Sequence, residues 1–367
     1  MPNRVSLIHI DIPLTEPFRI SSGEVHSKEA ILIHLELDGI HAWGEASSMA
    51  GGFYSPETPA TSWEYLSHHA IPRLLQTRCF HPDFVERYLL KETADRFAAA
   101  GLEGALWDHK VQREGDSFLE SLGVQAAPLA SGLAVGIYPT VEALLQACER
   151  YLADGYQRLK IKIQPGWDEE PLREIRQVFG DIPLMVDANA AYTQADFPLF
   201  SRLDRLNLLM IEQPLAKEDL EGHRLLQARL ATPVCLDESA SDPETVRRAL
   251  DMRACRIVNV KIQRLGGLQL AWDVIELCAA RGVPTWMGTM PELGIGSLHA
   301  LYLGLHPNCT YPTDVEASHR WYVEDIIDPP ITVRDGWIDI PVEHRERPRP
   351  ALAVVDRFTV RTEEWAL

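Results

Sequence analysis

Apolar and polar residues alternate along 5–12 and again along 31–42, and the Asp38-Gly39 pair between Leu37 and Ile40 is a tight-turn signal. The chain therefore opens with an antiparallel sheet. After Pro56 the spacing becomes helical, with Trp63, Leu66, Ile71, Leu74 and Leu75 on one stripe, followed by helical stretches at 84–90 and 94–110. Helices laid on an antiparallel sheet make an α+β unit, which ends near residue 125. The pattern then changes to short, uninterrupted apolar runs at 132–137, 159–163, 184–186, 208–211, 234–236, 257–260, 284–287 and 309–311. Runs of this kind read as parallel strands, because both faces of such a sheet are covered and alternation disappears. Helical stretches, for instance 196–206, 219–229 and 243–251, separate them.

Consecutive parallel strands joined by right-handed crossovers close most economically into a barrel. The expected fold is α/β: a (β/α)7β TIM-like barrel over 126–325 with an α+β capping domain over 1–125. Beyond Pro329 the Asp335-Gly336 turn and short alternating stretches suggest that the tail, 326–367, returns to the first domain.

Lys162, Asp187, Glu212, Asp237 and Lys261 punctuate this middle section at intervals of 25, 25, 25 and 24 residues, and four of them directly end an apolar run. An Asp or Glu after a strand usually caps the next helix. Capping gives no reason for five such residues in one register, two of them lysines. At the carboxyl ends of barrel strands all five would share one mouth. Lys162 and Lys261, on the second and sixth strands, would face each other across it, with the three acids on the arc between.

Three convergent carboxylates repel one another unless a cation sits among them, and all-oxygen donors suit Mg²⁺ or Mn²⁺. Such an ion acts as a Lewis acid on a substrate carboxylate and stabilises the charge left when the neighbouring carbon loses its proton. The lysines would reach opposite faces of that carbon. A second ammonium on the same strand face favours the neutral, basic form of a lysine, and Lys160 in Leu159-Lys160-Ile161-Lys162 has that spacing. Asn189 is either a helix cap or a group orienting a ligand; Glu238 reads as an outer or additional ligand contact.

The length of 367 residues allows a large core plus a smaller partner, and 46% hydrophobic with 24% charged residues is the composition of an ordinary globular protein. A formal charge of −18 disfavours nucleic acid and anionic membrane surfaces as partners. With no apolar leader segment and no run of transmembrane length, cytoplasmic residence is the expectation. The six cysteines, none in a Cys-x-x-Cys pair, read as small buried hydrophobes.

The segments Lys160-Ile161-Lys162, Asp187-Ala188-Asn189, Ile211-Glu212-Gln213-Pro214, Leu236-Asp237-Glu238-Ser239 and Asn259-Val260-Lys261 resemble the enolase superfamily, muconate-lactonising subgroup. Trp43-Gly44-Glu45, Phe53 to Glu57, Arg264-Leu265-Gly266-Gly267 and Asp314 to Ser318 extend the likeness over nearly the whole chain, toward the o-succinylbenzoate synthase and N-succinylamino acid (N-acylamino acid) racemase family. Sites of the superfamily use a Lys or His base with Mg²⁺. The resemblance implies that Asp187, Glu212 and Asp237 bind Mg²⁺, that Lys162 and Lys261 are the acid/base pair, and that Lys160 supports Lys162 and the substrate carboxylate. It places Arg264 and Glu292 around the site, and loops carrying Arg19, Ser21, Phe53 and Tyr54 as a lid. A small carboxylate substrate, an enediolate intermediate and a homo-oligomer are implied with it.

Two departures stand out. Gly288-Thr289-Met290-Pro291-Glu292-Leu293-Gly294 is bulkier and stiffer than the family's seventh loop, and Gln263 stands where a small residue usually follows the second lysine. Dehydration to o-succinylbenzoate and racemisation remain equal readings, with dipeptide epimerisation or muconate cycloisomerase-like chemistry as the alternative. A non-catalytic scaffold would lack a lysine or an acid of the set, and none is missing.

Overall fold

The computed structural model describes residues 3–91, 95–340 and 348–367. The alternating segments form an antiparallel sheet in the order Thr359–Ala366, Arg4–Ile20, Gly23–Leu37, Ile40–Ala46. The hairpin turns on Asp38 (φ 52°) and Gly39 (φ 81°), the left-handed pair expected of a two-residue connection. One face packs on the long helix Arg96–Glu114, capped by Asp95 (Oδ1 accepts from Ala98 N at 2.9 Å); Ala94, where the expected helix began, lies outside the described residues. The contact is close because both partners are glycine there: a Cβ on Gly44 would meet the carbonyl oxygen of Gly101 at 2.0 Å. The core under the sheet holds Val5, Leu7, Ile31, Ile33, Leu35, Phe84, Leu102 and Leu106, all buried.

The apolar runs form seven parallel strands in sequential order: Leu133–Val135, Leu159–Lys162, Leu184–Asp187, Ile211–Glu212, Val234–Leu236, Ile257–Val260 and Thr285–Met287. The expected eighth strand is present only as isolated parallel bridges, Thr285 with Cys309 and Ser131 with Thr313. These still join the two open edges of the sheet, since Gly132 N donates to the Thr313 carbonyl (2.8 Å) and Asp314 N to the Met287 carbonyl (3.0 Å). Inside the barrel Met185, Met210, Cys235, Ile257 and Trp286 form a buried layer. The helices between strands, such as Leu220–Gln227 and Pro243–Met252, start on Asp219 and Asp242, whose side chains accept backbone N–H groups.

The tail divides. Trp337–Ile338 pairs with Leu129–Ala130, Ile327–Asp328 pairs with Arg349–Pro350, and Thr359–Ala366 joins the capping sheet. The far half of the first hairpin leaves that sheet through a register shift between Pro13 and Phe18 and crosses to the barrel, where Ile137 N donates to the Arg19 carbonyl (3.0 Å). Among the described residues, no helix is long and apolar enough to cross a membrane.

Candidate active site

Lys162, Asp187 and Glu212 are the last residues of the second, third and fourth strands, in register as Lys162 opposite Asp187 and Asp187 opposite Glu212. Asp237 and Lys261 each stand one residue past the fifth and sixth strands. Three strands bearing the three acids separate Lys162 from Lys261, so the two ammonium groups stand on opposite sides of the mouth. The three carboxylates are 0% exposed.

Each charge has a definite partner. Lys162 Nζ donates to Asp187 Oδ2 (2.5 Å) and to Asn189 Oδ1 (3.0 Å). Asn189 also donates through Nδ2 to Glu238 Oε1 (3.1 Å) and through its backbone N–H to Asp187 Oδ1 (3.0 Å). Lys261 Nζ donates to Asp237 Oδ2 (3.0 Å) and lies 3.5 Å from the Tyr54 hydroxyl. Arg264 donates to Asp237 and to the Tyr54 hydroxyl. Asn259, on the sixth strand, donates to Glu212 Oε1 (2.7 Å), while Glu212 Oε2 has no hydrogen-bond partner.

Burial, followed by repulsion from Asp187, pushes the Glu212 pKa up to about 8 against the pull of Lys160. Burial also opposes ionisation of Asp237, but Arg264, Lys261 and Lys160 outweigh it and hold that carboxyl below the usual range. Among the described residues, no three His, Cys, Asp or Glu side chains aim their donors at one common position. The reason is local: Asp187 turns to Lys162, Asp237 to Lys261 and Arg264, and Glu212 to Asn259.

Lys160 lines the same mouth and is held from another direction. Its ammonium is engaged by Asp314 at the end of the eighth segment, with Asp187 and Glu212 farther off at 3.6 and 3.5 Å. Asp314 is also held by Arg158 Nη2 (2.7 Å), and both cations lie over the Trp286 ring, at 4.8 and 5.1 Å. Burial works against ionisation of Asp314, yet Lys160 and Arg158 bring its pKa down to about 2. The charge of Lys160 is thus balanced within the barrel.

Phe18, Ile20, Met49, Tyr54, Lys160, Lys162, Asn189, Lys261, Met290, Pro291 and Trp321 enclose a cavity of about 40 Å³. Of the expected lid residues, Tyr54 faces it. Phe53 packs on the other lid loop, where a Cβ on Gly23 would meet its ring at 2.7 Å. Arg19 is exposed and Ser21 half-buried at the hairpin turn; strand alternation presents Phe18 and Ile20 to the cavity instead. Glu292 turns back on its own loop, accepting from Met290 N (2.9 Å).

One further site residue has no signal of spacing. Gln213, fully buried, accepts from Asp237 N (2.9 Å) and Ser239 N (3.1 Å) and donates to the Ser239 hydroxyl (2.8 Å), tying the fourth strand's end to the fifth. Its φ of 36°, with those of Asn189 (40°) and Ala190 (60°), puts left-handed backbone directly beyond the third and fourth strands. Strained conformations of this kind gather at functional sites.

The chain matches the family described as "Mandelate racemase / muconate lactonizing enzyme, N-terminal domain" over residues 4–123 and "Enolase C-terminal domain-like" over 143–344. It is 43% identical over 338 residues to an o-succinylbenzoate synthase of Geobacillus stearothermophilus, covering 92% of this chain and 90% of that protein. Against an N-succinylamino acid racemase of Amycolatopsis the identity is 40% over 338 residues, with 92% of each chain covered. A solved member of the enolase superfamily from Listeria innocua superposes with a TM-score of 0.93 at 32% identity, covering 100% of this chain and 99% of that one. With both domains matched and the barrel-mouth arrangement described above, the chain belongs to the mandelate racemase / muconate lactonizing enzyme family of the enolase superfamily.

Proposed function

We propose that this protein removes the proton from the carbon next to a substrate carboxylate, giving an enediolate, and that one site serves both dehydration to o-succinylbenzoate and racemisation of N-succinylamino acids. The observation that carries the reading is that Lys162 and Lys261 line one cavity from opposite sides of a row of three buried carboxylates. The relatives with these two activities stand at nearly equal identity, 43% and 40%.

The donor chemistry suits a divalent cation, three buried carboxylates on adjacent strands, once Asp187 and Asp237 turn from the lysines and Arg264 that now hold them. Asp187, Glu212 and Asp237 would hold Mg²⁺, or Mn²⁺ in its place. Bound there, the ion supplies Lewis-acid stabilisation of the charge that collects on the substrate carboxylate. The side chains do the proton transfer. Lys162, oriented by Asn189 Oδ1, takes the α-proton from one face. In dehydration the C–H electron pair forms the new double bond, the β-hydroxyl leaves, and the Lys162 ammonium gives it the proton that makes water. In racemisation the Lys261 ammonium protonates the opposite face of the same carbon, which inverts it.

A dipeptide substrate suits the site poorly, because an α-ammonium needs an available carboxylate. Asp314 is taken by Arg158 and Lys160, and Glu316 is ion-paired to Arg320 (3.7 Å) and accepts from Ala134 N (2.9 Å). The cavity of about 40 Å³ holds little more than a water or two. A small carboxylate therefore enters only when the two lid loops part.

NMR in D₂O with Mg²⁺ tests the reading. Lys162→Ala is expected to abolish both reactions, whereas Lys261→Ala abolishes racemisation and keeps dehydration measurable; chelation stops both and added Mg²⁺ restores them. Unchanged racemisation in Lys261→Ala would refute the two-faced arrangement.

A further inference from the structure

The second lid loop, 47–58, leaves the capping sheet at Ser47, and each polar group of Ser47 is held from a different direction. The hydroxyl donates to Glu45 Oε1 (2.7 Å), and the carbonyl accepts from Lys28 Nζ (3.0 Å), which also donates to the Met290 carbonyl in the seventh loop (3.2 Å). The N–H donates to Gln263 Oε1 (3.0 Å), and Gln263 Nε2 donates to the Glu45 carbonyl (2.8 Å). Gln263 is 3% exposed and belongs to the short helix Ile262–Leu265, which begins directly after Lys261. The same turn reaches the lid at a second place, where Lys261 and Arg264 both donate to the Tyr54 hydroxyl. Its end is fixed by Arg96 Nη1, which donates to the Leu265 carbonyl (2.9 Å).

One helical turn therefore grips the loop at its root and again seven residues along. The grip at the root depends on a side chain with a donor and an acceptor at its tip and enough length to cross between domains.

We propose that Gln263 is a positioning residue for the lid: it fixes Ser47 as the hinge about which 47–58 closes, and so sets where Tyr54 meets Lys261 and Arg264. The role given to Lys261 rests on the function proposed above; the hinge itself does not. A substrate that must wait for a closed lid is bound less well when the hinge is loose, whereas the proton-transfer groups stay where they are.

Gln263→Met keeps the volume and removes both hydrogen bonds, and Gln263→Ala removes the side chain as well. Phe53 and Tyr54 are chymotrypsin sites inside the loop, and the rate of cutting follows the population of open loop. In both variants of the full chain, cleavage there is expected to rise about tenfold, with cleavage after the exposed Trp337 unchanged. KM for the N-succinylamino acid is expected to rise about tenfold with kcat within about threefold, a split that general loss of stability does not produce. Loop cleavage at the wild-type rate in both variants overturns the proposal, as does a rise matched equally at Trp337. Absence of turnover in the wild-type protein would instead remove the proposed function and leave the cleavage result to decide the hinge.

Discussion

Glu103 lies in the middle of the capping-domain helix Arg96–Glu114, 4% exposed, and accepts the backbone N–H of Leu268 at the start of the barrel helix Leu268–Ala279. Burial pushes its pKa up to about 8 against the backbone donors of Leu268 and Gln269. A helix N-terminus favours a carboxylate by roughly 1 kcal/mol, at most about 2. Displacement from 4.5 to about 8 is worth about 5 kcal/mol, so burial wins and the group is held protonated near neutrality. Because the folded chain binds this proton more tightly than the unfolded chain, its contribution is complete below the ordinary carboxyl value and is lost as pH rises toward 8. Between about pH 5 and pH 7 the loss comes to about 2 kcal/mol. Glu103→Gln keeps the shape and the acceptor and cannot ionise. Urea denaturation of both proteins across that range is expected to show the glutamine variant gaining about 2 kcal/mol relative to wild type as pH rises. A difference constant to about 0.5 kcal/mol would mean that Glu103 titrates as a solvated carboxyl does, and the burial reasoning fails.

Gly288 faces Asn259, and a Cβ there would sit 2.1 Å from Asn259 Oδ1. Gly288→Ala is therefore expected to cost about 1–3 kcal/mol and, by displacing the donor to Glu212, to lower kcat; normal stability with full activity would show that Asn259 has room to move. Asp314→Asn leaves Arg158 buried without its anion and Lys160 with only the more distant Asp187 and Glu212, an expected loss of about 3–5 kcal/mol by chemical denaturation. A loss under about 1 kcal/mol would mean that Trp286, with Asp187 and Glu212 beside Lys160, is enough to stabilise the two cations.

The barrel was legible because its signals are local: each strand is an apolar run, and the chemistry sits at its end, one period apart. The Asp38-Gly39 turn was legible for the same reason. Other parts of the site depend on distance in sequence. Asn259 meets Glu212 across 47 residues, and Asp314 meets Arg158 across 156, pairings that no spacing rule reaches. The counter-ion of Lys160 is hidden on that account, since it comes from the far end of the barrel. The eighth strand was over-read because an apolar run at 309–311 fixes hydrophobicity, not pairing length; the backbone there makes two bridges and moves on. At the lid, alternation chose Phe18 and Ile20 over Arg19 and Ser21, and the phase of that alternation depends on the register shift near Pro13.

Glu45 shares with Glu103 the habit of finishing a helix that belongs to the other domain: its carboxylate accepts from Leu293 N (2.7 Å) and Gly296 N (2.8 Å) at the head of Gly294–Gly304. Exchange of domains between relatives by recombination thus has a constraint that surface area does not reveal. A transplanted cap lacking either glutamate would leave bare amide groups on its new barrel, and a barrel with shifted helix starts would strand two buried carboxyls. Chimeras cut near residue 125 should survive only where both acids and both helix starts travel as matched sets.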